Sequence, residues 1–139
     1  MPAKKGTGLL MVWVEVPGEI EDEFNKWYNE EHIAERLGIP GVLSAARYEA
    51  VSSGPKMLAF YELESSAIME STEYLKVRNN PSDWTKRMNP GDVGTVYIRN
   101  IYEMIHPNEL TDEISASPMA PALQIGRMDI PPEVEDEWN

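Results

Sequence analysis

The chain contains no cysteine among its 139 residues. Disulfides and thiolate-held metals are therefore excluded. Histidine is almost absent too, with only His32 and His106, and no HExxH or EF-hand spacing supplies a metal site. Cationic residues are scarce: 12 Lys and Arg stand against 24 Asp and Glu, a formal net charge of −12. Such a balance repels phosphate backbones and anionic membranes, so neither nucleic acid nor a membrane is an expected partner. No apolar run approaches the roughly 18 residues that span a bilayer. The opening "MPAKKGTGLLMVWVEV" is apolar for only about seven residues before Glu15 and lacks a small-residue cleavage site, so it reads as a strand rather than a signal peptide. A cytoplasmic location is the expectation. Gly6-Thr7-Gly8 precedes that strand and so forms no dinucleotide loop, and no Gly-x-Ser-x-Gly elbow occurs.

What remains is a chain with 42% apolar residues, ordinary for a folded domain and enough for one compact unit. "GLLMVWVEV" from Gly8 is apolar on both alternating faces, which predicts a strand covered on both sides. Pro17-Gly18 ends it. A helix follows, with Glu19, Glu21, Asp22 and Glu23 crowding its positive end. Ile20, Phe24, Trp27, Glu31 and Ala34 share one stripe at 3.6-residue spacing, and Gly38 with Pro40-Gly41 closes the helix. Residues 42–51 and 56–63 read as a hairpin around "SSGP". Residues 65–88 read as an interrupted helix, with Asn80-Pro81 as a cap and first helical residue. Residues 95–105 form a fourth strand.

This order, strand-helix-strand-strand-helix-strand, predicts an α+β, ferredoxin-like βαββαβ unit with a four-stranded antiparallel sheet. Its helices cover one sheet face only. The apolar second face of the first strand calls for another sheet, from a homodimer partner or a second repeat, closing an α+β barrel.

The end of the chain points to a repeat. Aligned without gaps at an offset of 114, Leu9–Asn25 and Leu123–Asn139 are identical at seven of seventeen positions. We therefore expect a unit over residues 1–106, a Pro, Ser and Ala-rich connector over 107–121, and over 122–139 the first strand and helix onset of a second, truncated copy.

His32 lies one turn after Tyr28, placing both on the flank of the apolar stripe where the helix meets the sheet rim. A histidine there titrates near neutrality and can move protons, while Tyr28 can donate a hydrogen bond to a carbonyl or enolate oxygen. The competing role for His32 is a cap on the last helical carbonyls. Glu31 falls on the apolar stripe, where it pairs with an arginine or His32, works as an acid or base, or is simply solvated. Arg47 and Arg99 sit within strand patterns. Arg47, beside Ala45 and Ala46, has room to clamp a substrate carboxylate; pairing across the ladder with Glu49, Glu62 or Glu103 is the alternative. His106 ends the fourth strand and reads as surface structure.

"FNKWYNEEHIAERLGIPGV" resembles the EthD-like branch of the dimeric α+β barrel superfamily, with Trp27, Tyr28, Glu31, His32, Pro40 and Gly41 at the matching positions. "GPKMLAFYELES" is similar to the third strand of that branch. The resemblance spans residues 8 to 105 and implies the barrel fold and a small-molecule site. The superfamily covers cofactor-free oxygenases, isomerases, cyclases, decarboxylases and haem proteins, so it fixes no single reaction. The tandem architecture is a departure from it.

The resulting expectation is a cofactor-independent enzyme acting on an aromatic or cyclic carbonyl compound. His32, Tyr28 and Glu31 are the candidate catalytic residues, and Arg47, Trp27 and Tyr61 the candidate substrate-binding ones, with no cofactor or metal. The alternatives are a non-catalytic ligand-binding or assembly module of the same fold, and a haem-binding protein using a histidine as axial ligand.

Overall fold

β1 (Gly8–Glu15), β2 (Val42–Glu49), β3 (Met57–Leu63) and β4 (Val96–Glu103) form one sheet in the order β2-β3-β1-β4. Every neighbouring pair is antiparallel. The computed structural model describes residues 6–106, 122, 124–127 and 131. With its helices inserted after β1 and β3, this is the ferredoxin-like α+β arrangement expected from the sequence.

β1 is central and buried on both faces. Leu10, Val12 and Val14 stand opposite Tyr61, Ala59 and Met57 of β3 and meet the helices in the main core. Met11 and Trp13 point the other way and pack with Leu58, Phe60 and Ile98 in a second cluster. Each of these large side chains contributes about 1.5–3 kcal/mol when buried, so the second cluster is a core of its own.

The helical segment after β1 is not one uniform helix. A 3₁₀ turn over Gly18–Ile20 leads into α1 (Glu21–Trp27), a π-helical turn over Tyr28–His32, and then α2 (Ile33–Leu37). The expected stripe holds through Trp27, with Phe24 and Trp27 fully buried, and fails beyond it. The wider turn inserts one extra residue, so Tyr28 and His32 rotate into the interior while Ala34 is exposed. Gly41 closes the turn into β2 at φ +92°, and a Cβ there would lie 2.2 Å from Ile68 Cδ1. Only glycine meets both demands.

After β3 come a 3₁₀ turn over Ser66–Glu70, α3 (Thr72–Arg78), α4 (Asp83–Met88) and the short α5 (Pro90–Val93). The cap expected at Asn80-Pro81 is displaced. Ser82 caps α4, its Oγ accepting from the Thr85 amide, while the Asn80 side chain donates to the Lys76 carbonyl. Asn-Pro does act as cap and first helical residue one helix later, at Asn89-Pro90.

The expected connector and the expected second copy fall almost wholly outside the described residues. Within the expected fifth strand, residues 124–127 are described and are not in a strand. Arg127 there sets its guanidinium 4.8 Å from the centroid of the Trp13 ring, on the sheet face away from the helices. Among the described residues no helix is long and apolar enough to cross a membrane.

Candidate functional site

Between the π turn, the helix-side face of the sheet, and α3 to α5 lies a chamber of about 500 Å³. That is within the range of small-molecule sites. Trp27, Tyr28, His32 and Tyr61 line it, together with Arg36, Tyr74 and Arg99.

His32 is 9% exposed and packed between aromatic rings, 4.6 Å from Trp27 and 4.8 Å from Tyr28 by ring centroids. Its Nδ1 is buried without a hydrogen-bond partner; Nε2 is not walled off in that way. Loss of hydration on burial lowers its pKa to about 3, and the positive charges of Arg36 and Arg47 push in the same direction. The imidazole is thus neutral at physiological pH, which corrects the expectation of titration near neutrality. Among the described residues no helical carbonyl accepts from the ring, so it does not act as a helix cap there.

Tyr28 and Tyr61 are joined through their hydroxyls, Tyr61 donating to Tyr28 at 3.1 Å. Burial raises both pKa values, that of Tyr61 by more, so both remain phenols at neutral pH. Since Tyr28 accepts from Tyr61, its own proton is left to donate elsewhere.

Glu31 does something different from any paired or acid–base role considered above. Its Oε2 accepts from Trp27 Nε1 at 3.1 Å, Ser82 Oγ at 2.8 Å and Thr85 Oγ1 at 3.0 Å. Among the described residues it forms no hydrogen bond or ion pair with an arginine or with His32. The carboxylate ties the first helix to the start of α4 and so holds the chamber wall. Trp27 Nε1 also donates to Thr85 Oγ1, which completes the knot.

Arg47 faces the helices but does not line the chamber. Its guanidinium donates to Asn29 Oδ1 and Asn25 Oδ1, both at 2.9 Å, and lies 4.4 Å from the Tyr28 ring centroid. Burial lowers its pKa. The strand arginine that does reach the chamber is Arg99, which donates to Tyr74 Oη at 2.8 Å. Neither arginine forms an ion pair among the described residues. His106 is exposed, in keeping with surface structure.

Four of the six candidate residues therefore come together, namely Trp27, Tyr28, His32 and Tyr61. Arg36, Tyr74 and Arg78 were missed altogether. The one available signal was the pair Arg36 and Arg78, each in the last turn of a helix, where arginine is ordinarily explained by the helix dipole.

No sequence profile of a known protein family matches the chain, and no curated protein does. Solved structures do match. A dimeric ferredoxin-like protein from an uncultured marine organism is 12% identical with a TM-score of 0.56, over 78% of this chain and 96% of that one. A conserved protein from Methanosarcina mazei is 17% identical with a TM-score of 0.53, over 73% and 96%. An ethyl tert-butyl ether (EthD) family protein from Bacillus halodurans is 16% identical with a TM-score of 0.51, over 71% and 99%. At these identities the likeness establishes the ferredoxin-like fold.

Proposed function

We propose that the protein is a cofactor-independent enzyme that binds an aromatic or cyclic carbonyl compound in the chamber and moves a proton with His32. The observation that carries this reading is a buried, neutral imidazole in the chamber lining, beside a phenol with a proton to give. In the step envisaged, a C–H bond next to the substrate carbonyl breaks. The proton passes to the unblocked ring nitrogen and the electron pair to the carbonyl oxygen, where Tyr28 donates a hydrogen bond to the enolate.

The low proton affinity of His32 in the protein alone is compatible with this role. Burial destabilises an isolated imidazolium, but an enolate forming beside it supplies the missing counter-charge at the moment of transfer. Stabilisation would thus be felt in the transition state more than in the bound ground state. Glu31 serves as a brace in this scheme, and Trp27 and Tyr61 give the substrate its aromatic wall and position Tyr28. The outer face of the sheet would pack on a second ferredoxin-like unit, from another chain or another repeat; Met11, Trp13 and Leu58 are already buried within this chain, so that contact would form around their cluster rather than on it.

The test is solvent-deuterium incorporation, followed by NMR, across a panel of cyclic and aryl ketones and keto acids. Exchange should occur with the wild type and fall by roughly 10²–10⁴ in His32→Gln, with binding retained. Binding without exchange in the wild type would favour the non-catalytic ligand-binding module. A Soret band in haem-titrated protein, lost in His32→Gln, would favour the haem reading instead.

A further inference from the structure

The charge of the chamber opposes that of the protein. In a chain of net charge −12, its charged lining consists of Arg36, Arg78, Lys86 and Arg99 against the single carboxylate of Asp92. Lys86 has a carboxylate nearby, Asp83 at 3.9 Å, but among the described residues Arg36, Arg78 and Arg99 have none within 4 Å. Arg36 and Arg99 are half-buried, so two cationic side chains line the chamber with no counter-ion among the described residues.

The arginines are also braced. Tyr74, itself 2% exposed, holds both inner ones: the Arg36 guanidinium lies 5.5 Å from its ring centroid, and Arg99 donates to its hydroxyl. Among the described residues Arg99 spends only Nη2 on partners, Tyr74 Oη and Met69 Sδ, which leaves the donors of Nη1 and Nε. A single buried phenol thus orients two guanidinium groups from opposite walls, one from α2 and one from β4. Arg78 adds a third positive charge from the end of α3, at the exposed margin.

We infer that the chamber takes an organic anion, a flat ring compound whose carboxylate docks on Arg99 and Arg36 while its ring extends toward Trp27, Tyr61 and His32. This rests on the small-molecule reading above and narrows it to a substrate class. Guanidinium forks match a carboxylate in geometry and charge, and two of them turned to one cavity select for an acid over its neutral isostere. Arg78 and Lys86 at the margin would attract such an anion through the surrounding negative field.

The experiment compares 2-naphthoate with 2-naphthamide, which share a ring and differ in charge. Binding to the full chain is followed by calorimetry and by tryptophan fluorescence, since Trp27 lines the chamber. The acid should bind roughly tenfold or more tightly than the amide. Arg99→Gln and Arg36→Gln should each remove most of that preference while leaving amide affinity in place. Arg78→Gln, at an exposed position that leaves the core untouched, should weaken the acid by a few-fold and make its binding less sensitive to salt. Equal binding of acid and amide by the wild type overturns the anion inference and leaves the chamber reading standing. Failure of both ligands to bind overturns the two together. A preference for the acid that survives all three substitutions shows that the anion is held elsewhere, and also overturns the inference.

Discussion

Trp27 and His32 are five residues apart, yet their rings pack with centroids 4.6 Å apart. In a regular α-helix, residues at that spacing point about 140° away from each other. The π turn over Tyr28–His32 brings them onto one face and, with them, the chamber wall. Most of the chemistry suggested by this protein depends on that extra residue in a single turn.

The first consequence concerns acid. The folded pKa of His32, about 3, lies below the ordinary histidine value of 6.5, so the unfolded chain takes up the proton first. Stability from this group is therefore full above pH 6.5 and declines as the pH falls toward 3, by up to about 1.4 kcal/mol per unit. Urea unfolding of wild type and His32→Gln, measured from pH 7 to pH 4, should show the wild type losing ground relative to the variant. Parallel pH curves would contradict a neutral buried imidazole.

A second concerns the two phenols. Tyr28→Phe leaves the Tyr61 hydroxyl buried without an acceptor, which costs about 1–3 kcal/mol, and Tyr61→Phe removes the donor to Tyr28. The double variant should be more stable than the sum of the single losses, with a coupling of about 1 kcal/mol in a double-mutant cycle. Additive losses would mean that the hydroxyls do not interact.

Glu31 separates a brace from an acid. Glu31→Gln keeps an acceptor for Trp27, Ser82 and Thr85 and should retain activity within a few-fold. Glu31→Ala removes the acceptor that three donors share, leaving Thr85 Oγ1 as the remaining acceptor for Trp27 and Ser82, and should lower stability by about 1–3 kcal/mol. A Gln variant that is stable but loses activity by two orders of magnitude would return Glu31 to the catalytic set.

The turn at Gly41 gives a test of the fold itself. Gly41→Ala meets both a positive φ and the Ile68 side chain, and should cost about 1–3 kcal/mol in thermal or denaturant unfolding. A neutral substitution would show that the helix-to-β2 connection differs from the one described.

Much of this structure could be read from the chain. Two apolar faces in "LLMVWV" predicted a central strand with two covers, and the residues fall on those faces in the order their alternation implies. Pro40-Gly41 marked the exit of the helix correctly because its backbone need is local. The site was only partly legible. Tyr28 and His32 stood out as a pair, but their rotation into the interior came from a π turn, and no spacing rule announces one. Glu31 on the apolar stripe looked like a buried acid, whereas two of its three partners, Ser82 and Thr85, come from residues 51 and 54 positions further on. Arg47 and Arg99 occupy equivalent inward positions, opposite Ala59 and Val12. Which of them reaches the chamber depends on where α1 crosses the sheet, and that is a tertiary fact. Local capping failed at Asn80 for the same kind of reason, since Ser82 is fixed by its contact with Glu31 as well as by its own helix.

The most direct test of a ligand chamber at His32 is an NMR titration of histidine-labelled protein with 2-naphthoate and 2-naphthamide. Only two histidines report, and His106 serves as the exposed internal control. At least one ligand should shift the His32 ring resonances in a saturable way and leave His106 unchanged, and the shift should vanish when the chamber is filled by Tyr61→Trp. Saturable binding by calorimetry with no change at His32 would place the ligand elsewhere and contradict the site proposed here.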